Sequence, residues 1–234
     1  ILFSGTLRTT LFPEMSAISS KEEPQAVAQI VEQSLSFGGL FLVPGLFGGL
    51  LLGERILRLY GPEFPQGATV LAILIAANLI MGYQSQFLNT LNAVDRPDLA
   101  FRVNGVFAGT NLTFNIILIY LYGWVGAAVA TAGSVAISLV FAYYYVNNII
   151  EFDIPMAEIA KQWISALLMS GVVYGGLQLE SRYQVLGHNA GVVISLVTLG
   201  ASVYFLVLLG VSSEFRETVN RNLPAKTPLI SRNQ

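Results

Sequence analysis

Residues 103–150 read VNGVFAGTNLTFNIILIYLYGWVGAAVATAGSVAISLVFAYYYVNNII, without one Asp, Glu, Lys, Arg or His. A helix needs roughly 20 residues to cross a hydrocarbon core of about 30 Å, so a charge-free run of this length holds two crossings. Near its middle, Tyr122-Gly123-Trp124 supplies a tight turn flanked by aromatics that favour the membrane interface. Working outward, the charge-free windows 33–53, 64–94, 162–179 and 189–213 hold one crossing each. The expected fold class is all-α: a polytopic membrane helix bundle with six complete transmembrane helices, near 33–53, 67–93, 103–122, 125–147, 161–179 and 189–212.

Composition agrees with that outline. Of 234 residues, 54% are hydrophobic and only 11% charged, which takes the chain out of the water-soluble class. A net charge of −2 offers no basic face for phosphates, so nucleic acid is not an expected partner. There is no cysteine and a single histidine, His188, which removes disulfides, thiol nucleophiles and histidine metal clusters. No span centre carries Asp, Glu, Lys, Arg or His, so an intramembrane enzyme has no visible apparatus, and the chain is expected not to be one. Tyr60, Tyr120, Tyr122, Trp124, Tyr143 to Tyr145 and Trp163 sit mostly at span ends, where interfacial anchoring accounts for them and no cofactor is called for.

The chain opens on Ile1-Leu-Phe-Ser-Gly-Thr-Leu with no basic n-region, which reads as the end of an interrupted helix and suggests a fragment lacking its N-terminal part. Pro13 breaks that stretch. Ser20 and Glu23 have capping-box spacing, so a helix is expected to start there, lie along the membrane surface and run through Val27, Ile30 and Val31 into the first full span. Pro44, among the glycines of that span, frees a backbone carbonyl and can kink it. After the last span a polar tail with Pro224 and Pro228 is expected to be disordered. Placing the tail inside puts Lys21, Arg96, Arg102, Lys161, Arg216, Arg221, Lys226 and Arg232 in the cytoplasm and Arg55, Arg58 and Arg182 outside. The positive-inside bias therefore favours a multi-pass protein of the cell membrane with a cytoplasmic C-terminus.

The polar residues inside the spans are amides and hydroxyls. Asn78, Gly82, Ser85, Asn89 and Asn92 fall on one helical stripe, with Gln86 one residue to the side. The next span repeats the pattern with Asn104, Ala108, Asn111 and Asn115. Two such faces imply either a hydrated cavity or a set of interhelical hydrogen bonds. Any one amide is well explained as glue between helices, at about 0.6 kcal/mol per interaction. The combined stripe is as well explained as a cavity lining, because amides and hydroxyls bind polyhydroxylated ligands without needing a fixed charge. Small residues recur at steps of four as Gly45/Gly49/Gly53, Gly105/Gly109, Gly126/Ala130/Ser134 and Gly171/Gly175, which allow close helix packing or sliding.

Four ordered segments carry a family likeness. Leu11-Phe12-Pro13-Glu14-Met15-Ser16 closes a helix, and Ile56-Leu57-Arg58-Leu59-Tyr60-Gly61-Pro62-Glu63-Phe64 follows a Gly/Pro-containing span. Leu91-Asn92-Ala93-Val94-Asp95-Arg96-Pro97 follows the next span, and Gly123-Trp124-Val125-Gly126-Ala127-Ala128-Val129-Ala130-Thr131 opens the fourth. Together they resemble the C-terminal half of polysaccharide flippases of the multidrug/oligosaccharidyl-lipid/polysaccharide exporter superfamily, over about residues 1–148.

The resemblance implies a MATE-like transporter of two pseudo-symmetric lobes that flips a lipid-linked oligosaccharide by alternating access, for surface polysaccharide or glycoprotein biosynthesis. This chain would be the second lobe: residues 1–148 as the lobe proper, 149–213 as two additional transmembrane helices, and 214–234 as a cytoplasmic tail. Its partners would be the lipid-linked oligosaccharide, membrane lipids and a missing N-terminal lobe of the same protein. The contacts would be Asn78, Ser85, Gln86, Asn89, Asn92, Asn104, Asn111 and Asn115. Arg8 is the cationic candidate for the carrier's phosphate, with snorkelling at a helix end as its competing explanation. A multidrug or cation exporter of the same superfamily is the alternative. A non-transporting scaffold and a glycosyltransferase component stand behind both.

Overall fold

The charge-free windows are helical in the computed structural model, which describes residues 24–183 and 188–222. We label the helices α1 (Pro24–Gly38), α2 (Leu42–Leu57), α3 (Ala68–Ala93), α4 (Pro97–Asn147), α5 (Met156–Tyr183), α6 (Asn189–Val211) and α7 (Ser213–Asn222), with a 3₁₀ turn at Phe64–Gly67. Four stretches are long and apolar enough to cross a membrane: Gln25–Leu57, Phe64–Ala93, Pro97–Asn147 and Asn189–Val211. The third supplies two crossings. The remaining expected crossing, α5, has 28 residues and so the length, but is not among the stretches apolar enough to cross by the same measure.

The 51 residues of α4 are folded in two at Gly123, whose φ of 59° and ψ of −139° suit the first central position of a type II′ turn. Only glycine adopts that conformation without strain. The limbs before and after it, 97–122 and 124–147, run back along each other: the Leu118 carbonyl lies against Gly126, and the Phe114 ring packs at Gly133. The expected hairpin at Tyr122-Gly123-Trp124 is therefore present.

Helix α3 ends in a fully bonded C-cap. Asp95 takes a left-handed φ of 59°, the Arg96 N–H donates to the Leu91 carbonyl at 2.8 Å, and the Asp95 N–H donates to that of Asn92 at 3.4 Å. These are the two bonds of a Schellman motif. Asp tolerates the left-handed region better than most residues, and Pro97 then starts α4 where a missing N–H is harmless.

Before α3, the expected continuous first span is interrupted at Gly39-Leu40-Phe41, where the Leu40 N–H donates to the Phe37 carbonyl at 3.1 Å. The break lies one turn before Pro44, which cannot donate to the Leu40 carbonyl and crowds it. Helix α2 then runs antiparallel to α3, with Leu42 against Gly82, Ile75 against Gly49 and Leu71 at Gly53. Helix α1, expected along the membrane surface, has its apolar face packed on other helices. That face, Val27, Val31 and Leu35, is buried in a core with Phe87 and Leu91 of α3, Val103 of the first α4 limb and Ala142 and Val146 of the second. An i, i+4, i+8 stripe that finds helical partners has no reason to stay at the interface. The capping-box pair Ser20/Glu23 lies outside the described residues.

The chain forms two compact units, one ending at Pro155 and the other starting at Met156. In the second, α5 and α6 pack antiparallel, Leu196 against Gly176 and Val173 against Gly200. Part of the tail departs from the expected disorder: residues 214–222 belong to the helix α7, while Pro224 and Pro228 lie outside the described residues. The Ser212 hydroxyl accepts the Phe215 N–H at 3.0 Å and donates to Glu158 at 2.6 Å, while Glu158 also holds Lys161. Arg216 donates to the Leu209 and Gly210 carbonyls at 3.0 and 2.9 Å, closing the end of α6. An N-cap and an arginine on the preceding carbonyls outweigh the polar composition that suggested disorder.

Candidate functional site

Helix α3 is covered on two sides. One side meets α2 through Leu71, Ile75 and Gly82, and the other carries Ala77, Gln84 and Leu91, buried at seven-residue steps. On that second side α3 runs parallel to the second α4 limb: Gly67 sits beside the Trp124 ring, Gln84 bonds Ser138, and the Phe87 and Tyr143 rings meet at 5.9 Å.

The amide stripe lies between these two faces. Asn78 and Asn92 are exposed, and Ser85, Gln86 and Asn89 are partly buried. The Asn78 amide donates to the Leu74 carbonyl of its own helix at 2.9 Å. The side chains of Ser85, Gln86, Asn89 and Asn92 make no hydrogen bond to another described residue. Within the stripe Gly82 departs from the expected lining, since Leu42 covers it, and the Gln86 stem lies near Gly38 at the α1–α2 break. Gly82 and Gln86 thus face helices, and the side chains of Ser85, Asn89 and Asn92 have no hydrogen-bond partner among the described residues.

On the first α4 limb, Asn104 is exposed while Asn111 and Asn115 are partly buried. The Asn115 amide donates to the backbone carbonyl of Asn111 at 2.8 Å and to its side-chain oxygen at 3.0 Å. These two therefore act as one amide pair on the helix surface. Among the described residues no hydrogen bond joins the α3 stripe to the α4 amides, so the two are not tied to each other as glue. Arg8 lies outside the described residues.

A polar bond that joins α3 to the second α4 limb involves a residue absent from the amide pattern. Gln84 donates to the Ser138 hydroxyl at 2.7 Å, with both residues buried, and Ser138 donates onward to the Val135 carbonyl at 3.0 Å. Its signal was available: a glutamine standing in a seven-residue apolar repeat, Ala77-Gln84-Leu91, has no place on a lipid-facing or solvated side.

Among the described residues the stripe itself carries no charge. An ion pair of Arg96 with Asp98 at 3.1 Å is exposed on the turn beyond Asn92. Among the described residues no three His, Cys, Asp or Glu side chains converge as metal ligands would. What the arrangement presents is a row of hydrogen-bond donors and acceptors along an otherwise apolar helix.

Residues 1–200 match the family described as lipid II flippase MurJ. The probable flippase AglR of Haloferax volcanii is 32% identical over 226 residues, which is 95% of this chain and 46% of that protein. The probable low-salt glycan biosynthesis flippase Agl15 of the same organism is 31% identical over 230 residues, 98% of this chain and 48% of that protein. The chain thus spans about half the length of each relative. Among solved structures, a lipid II flippase MurJ in an inward closed conformation gives a TM-score of 0.73 at 17% identity, covering 93% of this chain and 45% of that one. At that identity the likeness is one of fold.

Proposed function

The chain belongs to the lipid II flippase MurJ family, and from that premise we propose that it forms part of a transporter, not an enzyme, that carries a lipid-linked glycan from one membrane leaflet to the other. Residues 1–148 act as the C-terminal lobe, 149–213 add two membrane helices, and 214–234 lie in the cytoplasm. An N-terminal lobe of the same protein completes the passage, which accords with relatives about twice this length. The protein resides in the cell membrane.

The observation that carries this reading is the α3 stripe, where Ser85, Gln86, Asn89 and Asn92 bring polar side chains to a membrane-crossing helix without satisfying them on described residues. Unsatisfied amides facing hydrocarbon are costly, so water or a hydroxyl-rich substrate is their natural counterpart. Asn78, Asn104 and the Asn111–Asn115 pair extend the lining, and Arg8 is proposed for the carrier's phosphate. The names of AglR and Agl15 as flippases, the latter of glycan biosynthesis, point to the same substrate class.

Replacing Gln86 and Asn89 together by Leu in the full-length protein tests the proposal by the delivery of lipid-linked glycan to the outer leaflet. Losing two hydrogen bonds, each of about 1 kcal/mol, lowers delivery about tenfold or more at an unchanged membrane level. Unaltered delivery at normal expression removes both residues from the lining.

A further inference from the structure

Helix α3 carries two polar systems one residue apart. Gln84 faces the second α4 limb and is buried, whereas Ser85 begins the row, with Asn89 and Asn92, whose side chains bond no described residue. Successive residues of a helix point about 100° apart, so turning α3 by one residue would press Ser85 into the second limb and expel Gln84. Apolar packing of Phe87 and Leu91 opposes such a turn from one side, but beside Gln84 the second limb offers only the small side chains of Ser138 and Ala142, both fully buried. Surfaces of this kind let helices approach closely and offer few knobs to fix rotation.

A directed bond between buried polar atoms does oppose it. Gln84 Nε2 donates to Ser138 Oγ at 2.7 Å, and the Ser138 hydroxyl proton is committed to the Val135 carbonyl at 3.0 Å. Rotating α3 would leave an amide and a hydroxyl unpaired in apolar surroundings. We propose that Gln84 is a positioning residue, which through Ser138 holds α3 at the rotation that keeps Ser85, Asn89 and Asn92 facing away from the second α4 limb. This rests on the lining role assigned to those three residues.

The given chain has no cysteine, so a thiol at Ser85 can report its exposure in a full-length protein carrying no other thiol. Ser85→Cys is labelled in native membranes with a membrane-impermeant maleimide, against Tyr122→Cys at the exposed hairpin tip as reference. Gln84→Leu and Ser138→Ala each lower the Ser85→Cys rate relative to the reference by about fivefold, the double variant does no worse than either, and exchanging the pair as Gln84→Ser with Ser138→Gln restores it. A second readout is disulfide formation between Phe87→Cys and Tyr143→Cys, whose native rings lie 5.9 Å apart. Its yield falls when the bond is removed and recovers on exchange. If Ser85→Cys is never labelled but the cross-link responds, the lining role fails and the positioning role stands. If Ser138→Ala, the mildest change, alters neither readout, the positioning role is overturned.

Discussion

The two limbs of α4 are similar in length and largely apolar, yet they meet opposite fates. In the limb after Gly123, Gly126, Ala130, Ser134, Ser138 and Ala142 are all buried, every fourth residue for the whole length of the helix. In the limb before it nothing beyond Val103 is buried, although Gly105 and Gly109 have the same spacing and a Cβ added at either would meet only open space. Small residues at steps of four thus permit close packing without causing it. What decides is whether a neighbour arrives, and the second limb has one on each side: α3 running parallel, and the first limb folded back across the turn.

That contrast can be broken most severely at Gly126. Gly126→Leu pushes a side chain into the Leu118 carbonyl, a backbone atom that cannot move aside, and is expected to destabilise the hairpin by about 3 kcal/mol or more, read as the midpoint of thermal unfolding in detergent. Gly123→Val comes next, at about 1–3 kcal/mol by the same measurement, since the turn demands a backbone conformation that a β-branched residue resists. The smallest effect belongs to Gly105→Ala, whose new methyl meets open space: a change within about 0.5 kcal/mol is expected, on the stabilising side because alanine restricts the unfolded chain. A Gly105→Ala penalty as large as that of Gly123→Val would show that the first limb is packed against something the chain itself does not supply.

Much of the fold was legible in the sequence because its boundaries are local. The hairpin announces itself as a glycine between aromatics in the middle of an overlong apolar run, and the α3–α4 return as Asp-Arg-Pro after an apolar span. The fate of α1 was not legible: its amphipathic face suits a membrane surface or a helical core equally, and only the arrival of Phe87, Leu91, Ala142 and Val146 decides. Helix α7 was hidden for a related reason, since its cap relies on Glu158, 54 residues before Ser212. In the candidate site, periodicity identified the stripe but not the rotation of α3 about its axis. That rotation is visible through Gln84, whose partner is 54 residues away and which no local pattern connects to Ser138. Asn111 and Asn115, four apart on one helix, pair as their spacing allows.

The three-residue return between α3 and α4 leaves no slack. Val94, Asp95 and Arg96 all bond back to the end of α3, and Pro97 begins the next helix at once. A linker so short and so stiff transmits torque, so a twist of α3 is handed directly to the first α4 limb and, through the Gly123 turn, to the second. These three crossings are thus joined end to end by short, bonded connections, and the nearest interruption of a helix before them is the turn at Gly39-Leu40-Phe41.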